Sequence, residues 1–269
     1  MKSKNISVER KQYLSNLKKQ KIEIFLAQVL IVFGFIVIWE VLANKGIIDS
    51  FITSKPSRIV NTFMNLSQND LLKHVWVTTY ETIVGFLLGT LLGIFIAIIL
   101  WWSNFFAKVS EPFLVILNSL PKVALGPVII IWVGAGTPAI IVMAIAISLV
   151  VTILENLNGF LKTDKELIKM AKTFNASKWQ ILTKIVIPAN IGVFINSLKV
   201  NIGLSLVGVI SGEFLVSKAG LGYLIVYGGQ VFKLDLVMTS VLILGIVAGI
   251  MYEAVILLEK FILKTKKFK

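Results

Sequence analysis

The stretch Ala171–Pro188, AKTFNASKWQILTKIVIP, separates two strongly apolar runs, and its reading decides how the whole chain is arranged. Six lysines fall between residues 162 and 184, yet the pattern is one of folded helices and not of a loose basic linker. Thr163 to Glu166 reads T-D-K-E, a capping box that satisfies orphan N–H groups and predicts a helix starting near residue 164. Leu167, Met170, Ala171 and Phe174 then recur at spacings of three and four, forming one apolar stripe with Lys165, Lys169 and Lys172 largely off it. Asn175 breaks the pattern, and asparagine is one of the few non-glycine residues that enter the left-handed conformation ending a helix. Ser177 to Gln180 is a second capping box, opening a helix with Trp179, Leu182, Ile185 and Val186 as its apolar residues. Pro188 disfavours the helical region for Ile187 and so predicts a separation from the next apolar run. The segment 160–187 is therefore expected to be a hairpin of two short amphipathic helices whose apolar stripe needs a cover.

Outward from the hairpin the chain is apolar. Of 269 residues 57% are hydrophobic and only 15% charged, against roughly 25% charged in an average soluble domain. Crossing a hydrocarbon core of ~30 Å takes about 20 helical residues, and suitable runs lie near 24–43, 80–102, 112–133, 136–157, 188–212 and 235–258. The expected fold class is an all-α polytopic membrane protein with six transmembrane helices and the two-helix hairpin between the fourth and fifth. Pro121, Lys122 and Pro127 interrupt the third run, and proline costs helix hydrogen bonds. The first run is longer than the apolar core of a signal peptide and no small-residue cleavage site comes after it, so it is expected to remain as a span. Gly85, Gly89 and Gly93 share one helix face and predict a close approach of another helix.

The net charge of +13 is unevenly distributed. Residues 1–23, 103–111, 155–187 and 259–269 hold seven, one, six and five Lys/Arg, whereas the alternate loops 44–79, 134–135 and 213–234 hold four, none and two. By the positive-inside rule both termini and the hairpin are expected in the cytoplasm of a cell-membrane protein, with anionic lipid as a possible contact. The chain accordingly divides into a basic N-terminal segment 1–23, a transmembrane domain 24–258 and a basic tail 259–269. In the loop 44–79, Ser57 is expected to cap a short helix with Ile59, Val60, Phe63 and Leu66 on one side, lying at the membrane surface. The A-x-x-x-N-x-S spacing at 171–177 matches the turn of a DNA-binding helix-turn-helix, but tethering to spans at both ends argues against it, and no nucleic acid partner is expected. There is no cysteine and a single histidine, His74, so thiolate chemistry is excluded and a metal centre is not expected.

Two uses for the hairpin remain: its stripe is covered by the ends of its own spans, or it is a docking element, since short helices braced against spans can pass a push from a cytoplasmic protein into the membrane. KMAKTFNASKWQILTKIVIP resembles the cytoplasmic motif of permease subunits of binding-protein-dependent ABC importers, with Lys169, Met170 and Ala171 on its EAA, Asn175 on its glycine and Ile187-Pro188 on its ending. KPSRIV at 55–60, VGFLLGTLLGIFIAI at 84–98, LPKVALGPVIIIWVGAGTPA at 120–139, ASKWQ at 176–180 and GEFLVSKAGLGYLI at 212–225 are similar to the nitrate, sulfonate and taurine branch. The resemblance implies a type I importer permease fold, a second permease copy, a dimer of cytoplasmic ATPases and an extracytoplasmic substrate-binding protein. It implies a small anion as cargo, with a thiamine-precursor pyrimidine or similar heterocycle as the alternative. It also implies that the ATPase grips Met170, Ala171, Phe174, Asn175, Ala176 and Trp179. The chain has no G-x-x-x-x-G-K-[ST] phosphate cradle, so ATP and magnesium are expected on the partner and no cofactor or enzymatic activity here.

Charged residues within spans are expensive and mark possible pathway positions: Lys122, Lys199 and Glu213. Each has a structural alternative, Lys199 by snorkelling and Glu213 as a helix-end carboxylate. Trp101 and Trp102 read as interfacial belt residues. The competing reading from another class is an ATP-independent secondary transporter or channel, which would call for intramembrane carboxylates. Glu40, Glu81, Glu111, Glu155, Asp235 and Glu253 mostly fall near predicted span ends.

Overall fold

A computed structural model describes residues 8–68 and 70–266. Among these the chain is helical without strands: α1 (Val8–Asn44), α2 (Ser50–Thr53), α3 (Pro56–Gln68), α4 (Leu71–Trp102), α5 (Asn104–Ser119), α6 (Gly126–Val133), α7 (Thr137–Leu161), α8 (Lys165–Thr173), α9 (Lys178–Ile181), α10 (Ile187–Ala189), α11 (Ile191–Val216), α12 (Leu221–Gln230) and α13 (Leu234–Lys266). Five helices, α1, α4, α7, α11 and α13, are long and apolar enough to cross a membrane.

The expected third span is not one helix. Leu120 is extended, a 3₁₀ turn occupies Lys122–Leu125, and α5 meets the segment Lys122–Val133, which contains α6, at 86°. Pro121 forces this, because its ring clashes with a helical residue before it and pushes Leu120 out of the α region. The basic segment 1–23 is not separate from the first span either. From Val8 onward it is the leading part of α1, since nothing between residues 8 and 24 breaks a helix; residues 1–7 lie outside the described ones, as do 267–269 of the tail.

The core is the packing of α7 between α4 and α11. Gly85, Gly89 and Gly93 lie on the contact face as their spacing predicts: a Cβ on Gly85 would fall 2.6 Å from Ala144 Cβ, and one on Gly93 2.5 Å from Thr152 Cβ. On the other side of Ala144, Gly208 of α11 approaches its backbone as closely. Polar side chains spaced by four line the same seam. Asn201 donates to Thr90 Oγ1 at 3.2 Å and to Thr152 Oγ1, and Asn156 donates to Ser197 Oγ at 3.2 Å. In lipid, where apolar side chains gain little by leaving their surroundings, small residues and such hydrogen bonds hold helices together.

α12 and α13 cover the other side of α11, and α1 stands at the periphery with its apolar residues from Phe25 to Ile38 largely exposed. Ser57 does not cap α3. Pro56 opens that helix, and the Ser57 N–H and hydroxyl both donate to the Glu40 carboxylate, at 3.0 and 2.9 Å. A carboxylate from a neighbouring helix is a stronger acceptor for first-turn donors than a serine hydroxyl. Nor does α3 present a single apolar face to a membrane surface, for Ile59 is buried and α3 packs on α13 while Val60 and Phe63 are exposed.

Candidate coupling hairpin and its connections to the spans

The hairpin forms, with corrections to both ends. α8 is capped by Asp164, whose carboxylate accepts from Glu166 N at 2.8 Å, and not by Thr163. Thr163 is buried and used otherwise: its hydroxyl accepts from Asn190 Nδ2 at 2.8 Å. Asn190 also donates to Val186 O at 2.8 Å, so one polar pair ties the chain's entry into the hairpin to its exit. Asn175 adopts φ 56°, and the bonds Ala176 N to Ala171 O and Asn175 N to Lys172 O form the Schellman arrangement that closes α8. The Ser177–Gln180 capping box is complete, with both reciprocal bonds made.

Pro188 does not separate the hairpin from the next span. Ile187 stays helical, and the turn before it, Leu182–Val186, widens into a π-helix that leads through α10 to a break at Asn190. A widened turn relieves the clash between a proline ring and the carbonyl four residues back. The second hairpin helix is thereby coupled almost directly to α11.

One side of the hairpin is packed. Ala171, Ile181, Leu182 and Val186 join Phe160, Leu157, Ile153, Ala97, Ala107 and Leu114 in a single buried cluster at the ends of α4, α5 and α7. The other side is bare: Phe174 is 79% exposed, Trp179 61% and Met170 53%. The predicted contact residues thus separate. Met170, Phe174, Asn175 and Trp179 are exposed, Ala176 is half-buried, and Ala171 belongs to the packed side.

The three charged positions picked from the spans share no contact. Lys122 is half-buried at the α5–α6 break and donates to Asn118 Oδ1 at 3.2 Å. Lys199 pairs with Glu259 of α13 at 2.6 Å, both about a quarter exposed. Glu213 stands in the last turn of α11 but is not a free helix-end carboxylate; it is buried and accepts from Thr78 Oγ1 and from Gly222 N, each at 2.6 Å. Thr78 Oγ1 in turn accepts from Leu221 N at 2.8 Å, and His74 Nδ1 from Gly220 N at 3.0 Å. Gly220, at φ 118°, lies against the Glu213 carboxyl where a Cβ has no room. These bonds latch the start of α12 to α4 and α11 at the end of the bundle away from the hairpin. Glu81, placed near a span end by its sequence, is ten residues inside α4 and buried beside Glu213 and Thr137.

Removal of the latch carries a measurable cost. Glu213→Ala leaves the Gly222 N–H and the Thr78 hydroxyl without their buried acceptor, at about 1–3 kcal/mol for each. The expected result is a loss of about 3 kcal/mol in unfolding free energy in detergent, read from a denaturant titration; an unshifted midpoint would remove the latch.

Multiple spans around a tightly packed three-helix core, with a two-helix knob at one end, define a polytopic membrane transport subunit. The chain belongs to the family of binding-protein-dependent transport system inner membrane components, which matches residues 89–264. A Haemophilus influenzae protein named as a probable ABC transporter permease is 30% identical over 238 residues, covering 88% of this chain and 97% of that one. A Bacillus subtilis protein named for aliphatic sulfonate transport, SsuC, is 26% identical over 85% of this chain and 83% of its own. The formylaminopyrimidine transport permease ThiX of Halalkalibacterium halodurans is 24% identical over 86% of this chain and 92% of its own. A bacterial ABC transporter involved in alginate import superposes with a TM-score of 0.64 at 14% identity, over 93% of this chain and 99% of that chain. The protein is an ABC importer permease subunit with the type I importer fold, a multi-pass membrane protein of a class that works with a separate ATPase and a substrate-binding protein.

Proposed function

We propose that two copies of this chain form the pathway for a small anion of the sulfonate, taurine or nitrate kind, released by an extracytoplasmic binding protein and driven by an ATPase dimer that grips the hairpin. The carrying observation is the exposed apolar knob of Met170, Phe174 and Trp179 on a hairpin that is otherwise packed into the spans. Large apolar groups in that setting mark a protein contact, and the π-turn and α10 connect that contact to α11 with only Asn190 between. Lysine and arginine bias supports cytoplasmic termini and hairpin. ATP and magnesium reside on the partner, and this chain transports without catalysing.

The second copy would lie on the open side of α11, where Gly192, Asn196, Val200, Gly203 and Val207 are exposed along one face. Of the three charged positions we assign Lys122 to the pathway, since it sits half-buried where the helix is broken and backbone groups can line a cavity. We assign structural roles to Lys199 and Glu213, on the ion pair of the one and the latch of the other. Similarity to SsuC favours the anion, and similarity to ThiX supports a pyrimidine as the second reading.

Reconstitution of the chain with its ATPase and binding protein in liposomes tests this directly. ATP-dependent accumulation of labelled taurine or an alkanesulfonate, absent without the ATPase, is expected. Accumulation of formylaminopyrimidine alone would move the cargo to the second reading, and uptake that needs no ATPase would overturn the coupling.

A further inference from the structure

We propose that the crevice between α8 and the end of α4 is a binding site for the headgroup of an anionic phospholipid. It has a volume of about 380 Å³, and its walls include Lys165, Lys169, Lys172 and Lys178, with Trp101 and Trp102 opposite. The site goes beyond the transport reading and rests on the geometry of the hairpin alone.

Three features select this ligand. First, the lysines of α8 do not belong to the docking knob. At 100° per residue, Lys165, Lys169 and Lys172 cluster on one side of the helix, and Leu167, Met170 and Phe174 on the opposite side. The basic face turns toward the ends of the spans while the apolar face turns away from them. Second, the charge is uncompensated. No carboxylate lines the crevice, and none of the four lysines is ion-paired among the described residues. Asp164 and Glu166, the acids at the start of α8, do not line it, and the Asp164 carboxylate faces the Glu166 N–H. Third, the crevice sits at the depth where headgroups lie. Tryptophans concentrate at the membrane–water boundary, and Phe105 and Phe106, 70% and 58% exposed at the start of α5, continue outward from Trp102 as an apolar surface for acyl chains. The Lys178 ammonium donates to Trp102 O at 2.9 Å, which ties the hairpin to the end of α4 and keeps the two walls together. A phosphodiester seated among the lysines would bridge the same two walls and so hold the hairpin at a fixed distance from the bilayer.

A titration of the purified full-length chain by native mass spectrometry tests the site, with short-chain phosphatidylglycerol, phosphatidylcholine and inorganic phosphate as separate probes. One phosphatidylglycerol per chain is expected to bind at least about tenfold more tightly than phosphatidylcholine, since each lysine near an anionic surface contributes appreciably. The Lys165→Gln/Lys169→Gln/Lys172→Gln/Lys178→Gln variant is expected to lose that preference, and the matching all-arginine variant to keep it. If the fourfold glutamine variant does not fold, Lys169→Gln/Lys172→Gln carries the same test with a smaller change. Equal binding of the two lipids overturns the proposal, as does full displacement of phosphatidylglycerol by equimolar phosphate, which would make this a site for a free anion. Retained preference in the glutamine variants, or lost preference in the arginine variant, overturns it too. Loss of ATPase co-purification with lipid binding unchanged would assign the lysines to the protein partner instead.

Discussion

Replacing both Phe174 and Trp179 by alanine is expected to abolish ATP-driven uptake and recovery of the ATPase with the chain, while the chain still inserts and folds. The reason lies in which side of the hairpin these residues occupy. They are 79% and 61% exposed, so truncation removes almost nothing that the isolated subunit uses, whereas Leu182 and Val186, which anchor the hairpin, are fully buried and untouched. At a protein interface, large exposed aromatic anchors each contribute on the order of 2–4 kcal/mol, and the loss of two weakens the complex by roughly 10³-fold or more. The Trp179 ring makes a tilted approach to Trp102 at 6.5 Å between centroids, so a small fall in stability is expected alongside. Co-purification with the ATPase and uptake into proteoliposomes are the measurements. An intact complex with undiminished uptake would sink the docking assignment, and a chain that fails to insert would show that the knob is part of the fold.

Gly208→Val is expected to be the most damaging single change in the spans. Ala144 of α7 is fully buried between two helices, and at Gly208 the chain of α11 comes so near that an added Cβ would stand 2.5 Å from Ala144 Cα and 3.0 Å from Ala144 N. Backbone atoms cannot swing aside as a side-chain end can. The helices must separate, breaking the Asn201–Thr152 and Asn156–Ser197 bonds that lie along the same contact. Overpacking of an unyielding site costs about 3 kcal/mol or more, against no more than about 1 kcal/mol in either direction for Gly245→Ala on the open face of α13, where nothing lies within 4 Å. Unfolding of the two variants in detergent, side by side, distinguishes a steric cause from any general intolerance of glycine replacement. Equal midpoints would contradict the close approach.

The hairpin shows how far local pattern reaches. The stop at Asn175 and the box at Ser177 are both legible, because each depends on residues within five positions of one another. Thr163 misleads for the opposite reason. Its hydroxyl answers to Asn190, 27 residues on, which leaves Asp164 to cap the helix. Pro188 misleads because a proline rule assumes an α-helical turn before it, and the chain supplies a wider one. Glu213 shows the same limit in the spans, for its partners on α4 and in the α12 turn are 135 and nine residues away. The polar seam does carry a signal: Ser148, Thr152 and Asn156, then Ser197, Asn201 and Ser205, repeat every fourth residue within apolar runs and stack on one face of each helix.

By itself the sequence determined that the chain is a helical membrane protein, where five of its spans run, and that a basic two-helix knob stands between the fourth and fifth. Those properties arise from runs of apolar residues and from caps, which act over one or two helical turns. Only the tertiary structure decided that α4 starts at Leu71, nine residues before its apolar run: polar Thr78 and His74 remain helical because the α12 turn and Glu213 bond to them in place of water. It likewise decided the split of the hairpin into packed and bare sides. Each of these is settled by which groups meet across the bundle, and such meetings have no fixed spacing along a chain.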